Sequence, residues 1–227
     1  MTGRGGRRPR RVRYAVFWCL YDWGNSAFPA VILSFVFAPY FLNRIATDPV
    51  TGEAQWGLAI SASAIVIALA SPVFGAFADQ SGRRRPWLGL CSLVAIAATA
   101  AMWTVTPGPE SVWRVLVLLA VANAAFELAY VFYNAMLADV ADEDALGRVS
   151  GFGWGAGYLG SLAALGAVLV LFIDPGVLGL SPETGETIRA AAVFTAAWFL
   201  LFAAPIILFA PPERSRGGSC RSLVRAG

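Results

Sequence analysis

The 227-residue chain contains no lysine and no histidine, and only 14% of its residues are charged. Chemistry that needs an imidazole base or ligand, or a lysine Schiff base, is therefore closed to it. Cysteine is nearly as scarce: Cys19, Cys91 and Cys220 are odd in number and widely spaced. That excludes a disulfide framework or a zinc site and leaves them as packing residues. Aromatic residues are not interleaved with the arginines as an RNA-binding surface needs, so no nucleic-acid partner is expected. No catalytic residue set, metal site or cofactor is expected either, and the chain reads as a non-enzyme.

Apolar surface is abundant instead. Hydrophobic residues make up 58% of the chain and the mean hydropathy is +0.64, outside the range of a water-soluble domain. Runs of membrane-spanning length, about 20 residues each, fall near 16–42, 56–78, 86–106, 112–137, 149–173 and 188–210. They predict an all-α integral membrane protein: a six-helix bundle over 16–210, an arginine-rich tail over 1–15 and a polar tail over 211–227. Trp18, Trp56, Trp87, Trp103 and Trp113 lie at or near the ends of these runs, where an indole suits the boundary between headgroup and hydrocarbon. Alternating the loops between two sides puts fourteen arginines on one side and three, Arg44, Arg114 and Arg189, on the other. The positive-inside rule then places both termini in the cytoplasm, with a bacterial cell membrane as the expected location. An arginine-rich start before an apolar run also fits a signal peptide. This run is too long, carries Asp22 and lacks a small-x-small cleavage site, so a retained first helix is expected.

Polar residues inside these runs are the candidates for function, because an acid in hydrocarbon is costly unless it faces protein, water or a partner. Asp22, Asn25 and Ser26 share one face of the first helix, with Pro29 expected to kink it nearby. They read either as substrate or proton-coupling groups or as an interfacial acid satisfied by a loop arginine. Asn123, Glu127, Tyr130 and Asn134 are spaced i, i+4, i+7 and i+11 and form a narrow stripe on the fourth helix, expected to face a cavity. Glu127, in the middle of its run, is the candidate proton carrier; hydrogen bonding between helices is the plainer alternative. In the fifth helix Gly151, Gly153, Gly155, Gly157 and Gly160 include two G-x-x-x-G pairs, Gly151/Gly155 and Gly153/Gly157, and predict close packing. Trp154 among them either lines the cavity or fills a groove. Asp139, Asp142, Glu143 and Asp144, followed by Arg148, form an acidic cluster between the fourth and fifth helices. A metal-dependent membrane transferase would use such acids, but the aspartate pair that such enzymes carry on the next helix is missing from 149–173. A solvated loop that helps start the fifth helix is the favoured reading.

The most specific signal is GAFADQSGRRRPWL, Gly75 to Leu88. A carboxylate and guanidinium groups at a membrane rim can pair differently in two packings, and glycines allow close approach and a tight turn. An ordinary basic loop would explain the arginines but not the glycines at their offsets. Gly75, Asp79, Gly82, Arg83, Arg84 and Arg85 match the loop motif of the major facilitator superfamily, which this segment resembles. By that resemblance they form a conformational latch. The segments Tyr21–Phe41 and Tyr133–Gly160 are further similar to the vacuole effluxer-like branch, whose fungal members export amino acids from the vacuole.

The resemblance implies half of a major facilitator fold, built of two inverted three-helix repeats. It implies a transporter of a small polar solute working by alternating access in a lipid bilayer. It also implies a second six-helix half, either another copy or a separate chain, and makes 211–227 the start of a central linker or a truncated end. The family's fifth helix is a glycine-rich hinge, but its Gly-Pro step is absent here. A non-transporting scaffold or fragment is the remaining alternative.

Overall fold

The computed structural model describes residues 7–81, 83–173 and 178–209, with side chains from Val12 to Ala76 and from Arg83 onward within those ranges. Backbone N–H and C=O groups in hydrocarbon must pair within the chain, which restricts apolar runs of this length to helices. The described residues accordingly form helices and turns, with no strand among them. Among the described residues six spans are long and apolar enough to cross a membrane: α1 (Val12–Ile45), α2 (Pro49–Ala76), α3 (Arg84–Thr104), α4 (Pro109–Val140), α5 (Glu143–Ile173) and α6 (Glu186–Phe209). The first helix already begins at Arg7, so part of the arginine-rich tail is helical and extends α1.

Packing follows a pattern that repeats after three spans. α1 packs on α5 and α6, α4 packs on α2 and α3, and α3 packs on α6. Exchanging each span with the one three places later maps this set of contacts onto itself, as two equivalent three-helix units related by a two-fold axis require. The spans differ widely in burial. Half of the apolar window of α1 is buried, against 11% of that of α2, whose Leu58, Ile65, Val66, Leu69 and Val73 are exposed. Side chains of this kind, facing outward along a whole helix, are suited to acyl chains and not to water.

The core between α1 and α4 is aromatic. Trp18 stacks on Tyr133 with ring centroids 4.3 Å apart, Tyr21 also stacks on Tyr133 at 4.9 Å, and Phe28 meets Phe126 at 5.1 Å. Trp18 therefore does not belong to the interfacial belt expected from its place near a run end. It is buried, and its indole N–H donates to the carbonyl of Tyr133 at 3.0 Å. The early start of α1 moves Trp18 inward along the span. Trp103 and Trp113 are exposed at the opposite end of the bundle, as a belt position requires.

Candidate functional site

The irregular course of α1 shapes the site. Proline has no N–H for the helix ladder and crowds the preceding turn. Around Pro29 the backbone leaves the α-helix that ends at Asn25 and winds as a π-helix over Phe28–Phe35. Val36 then takes φ −120° and ψ −60°, and a short α-turn, Phe37–Tyr40, leads into a second π-helical segment, Phe41–Ile45. Wider turns of this kind accompany functional positions in many helices.

Beside this break lies a cavity of about 320 Å³ between α1, α4 and α5. Asp22, Ser26 and Ser34 line it from α1, Tyr130 from α4, and Trp154 and Tyr158 from α5. Pro29, Ala30, Gly157 and Ser161 complete the wall. Asp22 is only 4% exposed, and among the described residues its carboxylate meets no cation and no hydrogen-bond donor. It stands ten residues in from Val12, about 15 Å along a helix axis, and no ion pair ties it to a loop arginine among the described residues.

Glycine makes room for this carboxylate. A Cβ on Gly157 would sit 2.7 Å from Ser26 Oγ and 3.1 Å from Asp22 Oδ2. A Cβ on Gly153 would run into the Trp18 ring, and one on Gly160 into the carbonyl of Trp23. These three glycines carry the close approach of α1 to α5. Gly151 and Gly155 depart from the expected packing role: a Cβ on either would meet nothing within 4 Å. The two G-x-x-x-G pairs point in different directions around the helix, and only Gly153/Gly157 is turned toward α1.

The remaining predicted residues divide. Tyr130 and Trp154 join Asp22 and Ser26 at the cavity, and Asn25 is buried beside them, its Oδ1 accepting from Ser26 Oγ at 3.4 Å. Asn123 departs from the stripe. Its Nδ2 donates to Ser63 Oγ at 2.7 Å across the α4–α2 interface, because a straight stripe meets different neighbours at different depths when helices cross. Glu127 is half-buried, has no ion pair among the described residues and does not line the cavity. Asn134, the penultimate residue of the regular α-helix Val112–Ala135 within α4, is exposed. Sequence reading missed Tyr158 and Ser161 as lining residues. With Trp154 they have the spacing i, i+4, i+7, the same signal used on the fourth helix.

The arginine-rich end forms a second functional region. Arg84 Nη1 donates to Asp139 Oδ2 at 2.9 Å and to the carbonyl of Ala135 at 3.1 Å, tying the start of α3 to the end of α4. Arg85 donates to the carbonyls of Ile207 and Leu208, where the last carbonyls of α6 lack helical partners and a cation is favoured. Arg13 lies over the Phe17 and Phe209 rings at 5.1 and 5.9 Å. Gly75 has no neighbour within 4 Å of a Cβ, so it is not a site of close approach. The Asp79 side chain and Gly82 lie outside the described residues. Asp139 is held by Arg84, and the described residues contain no group of three or more acids or cysteines placed to hold a metal ion. Asp142 precedes α5 and makes no side-chain cap bond to its first turn, a 3-10 turn over Glu143–Ala145 that contains Glu143 and Asp144.

The profile of the Major Facilitator Superfamily matches residues 24–222. The chain belongs to this superfamily. It is 31% identical over 196 residues to an uncharacterized MFS-type transporter, YxiO, of Bacillus subtilis (strain 168). The alignment covers 84% of this chain and 45% of that relative, so the chain spans about half the length of the curated relative it matches. As a member of the superfamily it is an integral, multi-pass membrane protein, with six spans among the described residues. The threefold-shifted contact pattern is that of one half of the superfamily's fold. The metal-dependent transferase reading finds no support in this assignment.

Proposed function

We infer that this chain is half of a secondary active transporter that moves a small polar solute, an amino acid being the candidate, by alternating access. The observation that carries this reading is the cavity between α1, α4 and α5, with the unpaired carboxylate of Asp22 in its wall. A buried acid at this depth is expensive and is kept where it meets a solute or a proton. Asn25, Tyr130 and Trp154 belong to this site, and Glu127, deep in α4, is assigned to proton coupling.

A second six-helix bundle, another copy or a separate half, closes the cavity on its open side and rocks against this one. The segment from Gly75 to Arg85 acts as the latch, with Arg84 on Asp139 and Arg85 on the end of α6 as contacts that are made in one state and released in the other. The arginine-rich end faces the cytoplasm.

The test is the oligomeric state of the purified chain in nanodiscs, together with uptake of labelled amino acids into proteoliposomes. A stable dimer with saturable uptake is the expected result. A dispersed, folded monomer with no uptake would remove the transport reading for this chain alone.

A further inference from the structure

The carboxylate in the cavity wall is an acceptor, and two of the wall's hydroxyls are turned so that they can accept as well, while the Ser34, Tyr130 and Tyr158 hydroxyls and the Trp154 indole N–H can also donate. Asp22, when ionised, accepts only. Ser26 has turned its hydrogen toward Asn25 Oδ1, at 3.4 Å, and Ser161 toward the carbonyl of Tyr158, at 2.8 Å. Both hydroxyls therefore present lone pairs to the space they line. Among the described residues no arginine lines the cavity, and the chain has no lysine or histidine to reach into it. An anion would find no counter-charge there, and it would face the Asp22 carboxylate.

The wall also carries three aromatic side chains. Tyr130, Trp154 and Tyr158 stand around the cavity, and the Trp154 and Tyr158 rings are 6.0 Å apart and inclined at 58°. Trp154 is 58% exposed and Tyr158 65%, so their faces are not consumed by packing inside this bundle. Aromatic faces around a carboxylate attract a cation through the ring quadrupole, and tryptophan does so most strongly. A group with N–H donors and a positive charge matches the carboxylate, the two accepting hydroxyls and the aromatic faces at once. The Gly157 position holds the site open, since any side chain there would press on Asp22 and Ser26.

We propose that this cavity selects the ammonium group of a primary amine: Asp22 pairs with its charge, Ser26 and Ser161 accept its hydrogens, and Tyr130, Trp154 and Tyr158 surround it. This deepens the transport reading and rests on it, since it takes the cavity as the solute site. The chain then recognises the cationic end of its solute, and any carboxylate on the same molecule is taken up outside this cavity.

The experiment is calorimetric titration of the full chain in nanodiscs with three ligands that share an isobutyl group and differ in charge: leucinamide, N-acetylleucinamide and 4-methylpentanoate. The expected result is that leucinamide binds at least about tenfold tighter than the neutral and anionic ligands. Asp22→Asn removes that preference and Asp22→Glu restores it, while Gly155→Ala, at a position with open space, leaves it unchanged. Binding of the neutral or anionic ligand as tightly as the amine overturns the proposal, as does the absence of amine binding to the unaltered, monodisperse chain. A preference that survives in a folded Asp22→Asn chain does the same. Should Asp22→Asn fail to fold, the ligand ranking and the Asp22→Glu chain decide the question alone. Amine binding without flux in proteoliposomes would count against transport by this chain and leave the ammonium site standing.

Discussion

α1 and α4 hold equivalent places in the contact pattern, each packing on two spans of the other three-helix unit, yet they are built differently. α4 runs as one uninterrupted α-helix over Val112–Ala135, and its buried Asn123 is paired with Ser63 at 2.7 Å. α1 changes its winding at Pro29, and its buried Asp22 is unpaired among the described residues. Pairing distinguishes a polar residue that holds the fold from one that is available to a solute. Both sit deep in apolar spans, and only the pairing separates them. A satisfied amide contributes a modest interhelical hydrogen bond, whereas an unsatisfied carboxylate beside a cavity costs stability and is retained for another purpose.

The strongest way to break the comparison is to unseat α1. Gly160→Val places a side chain against the backbone of Trp23, and about 3 kcal/mol or more of stability should be lost. Gly155→Val, five residues away in open space, should change it by less than about 0.5 kcal/mol. Thermal unfolding of the two variants in nanodiscs measures the difference, and equal losses would contradict the assignment of the packing face.

Asp22→Asn sharpens the contrast directly. Removing the charge should weaken amine binding by roughly 10- to 100-fold without lowering the unfolding temperature, because no partner is orphaned. Asn123→Ala should act the other way, lowering stability with no selective effect on ligand charge. A double-mutant cycle over Ser63→Ala and Asn123→Ala should return a coupling of about 0.6 kcal/mol, and at most about 1.7; a coupling near zero would mean that the pair does not hold α2 to α4.

The smallest effect is expected at the turn between α1 and α2. Asp48 Oδ1 accepts the backbone N–H of Thr51 at 2.9 Å at the start of α2. That bond holds the exposed Asp48 carboxyl below its ordinary value of 3.8. The stabilisation is present above the unfolded-state value and is lost as pH falls through the lower folded-state value. Amide exchange at Thr51 should therefore quicken only in strong acid, and Asp48→Ala should abolish that pH dependence.

Much of this was readable in the chain itself. Six apolar runs, a surplus of arginine on one side and the motif from Gly75 to Arg85 established a six-span membrane protein of the major facilitator type. The reason is that span length and charge are set by the thickness and polarity of the bilayer and need no tertiary information. Helical spacing alone also placed Asp22 and Ser26 on one face. Only the tertiary structure decided which neighbour each face meets. It turned Asn123 toward Ser63, buried Trp18 under Tyr133, assigned Gly153 and Gly157 to packing while leaving Gly151 and Gly155 outside, and brought Tyr158 and Ser161 to the cavity. Periodicity fixes an angle around one helix axis, whereas a contact depends on where a second helix crosses it, and that crossing is set by the packing of all six.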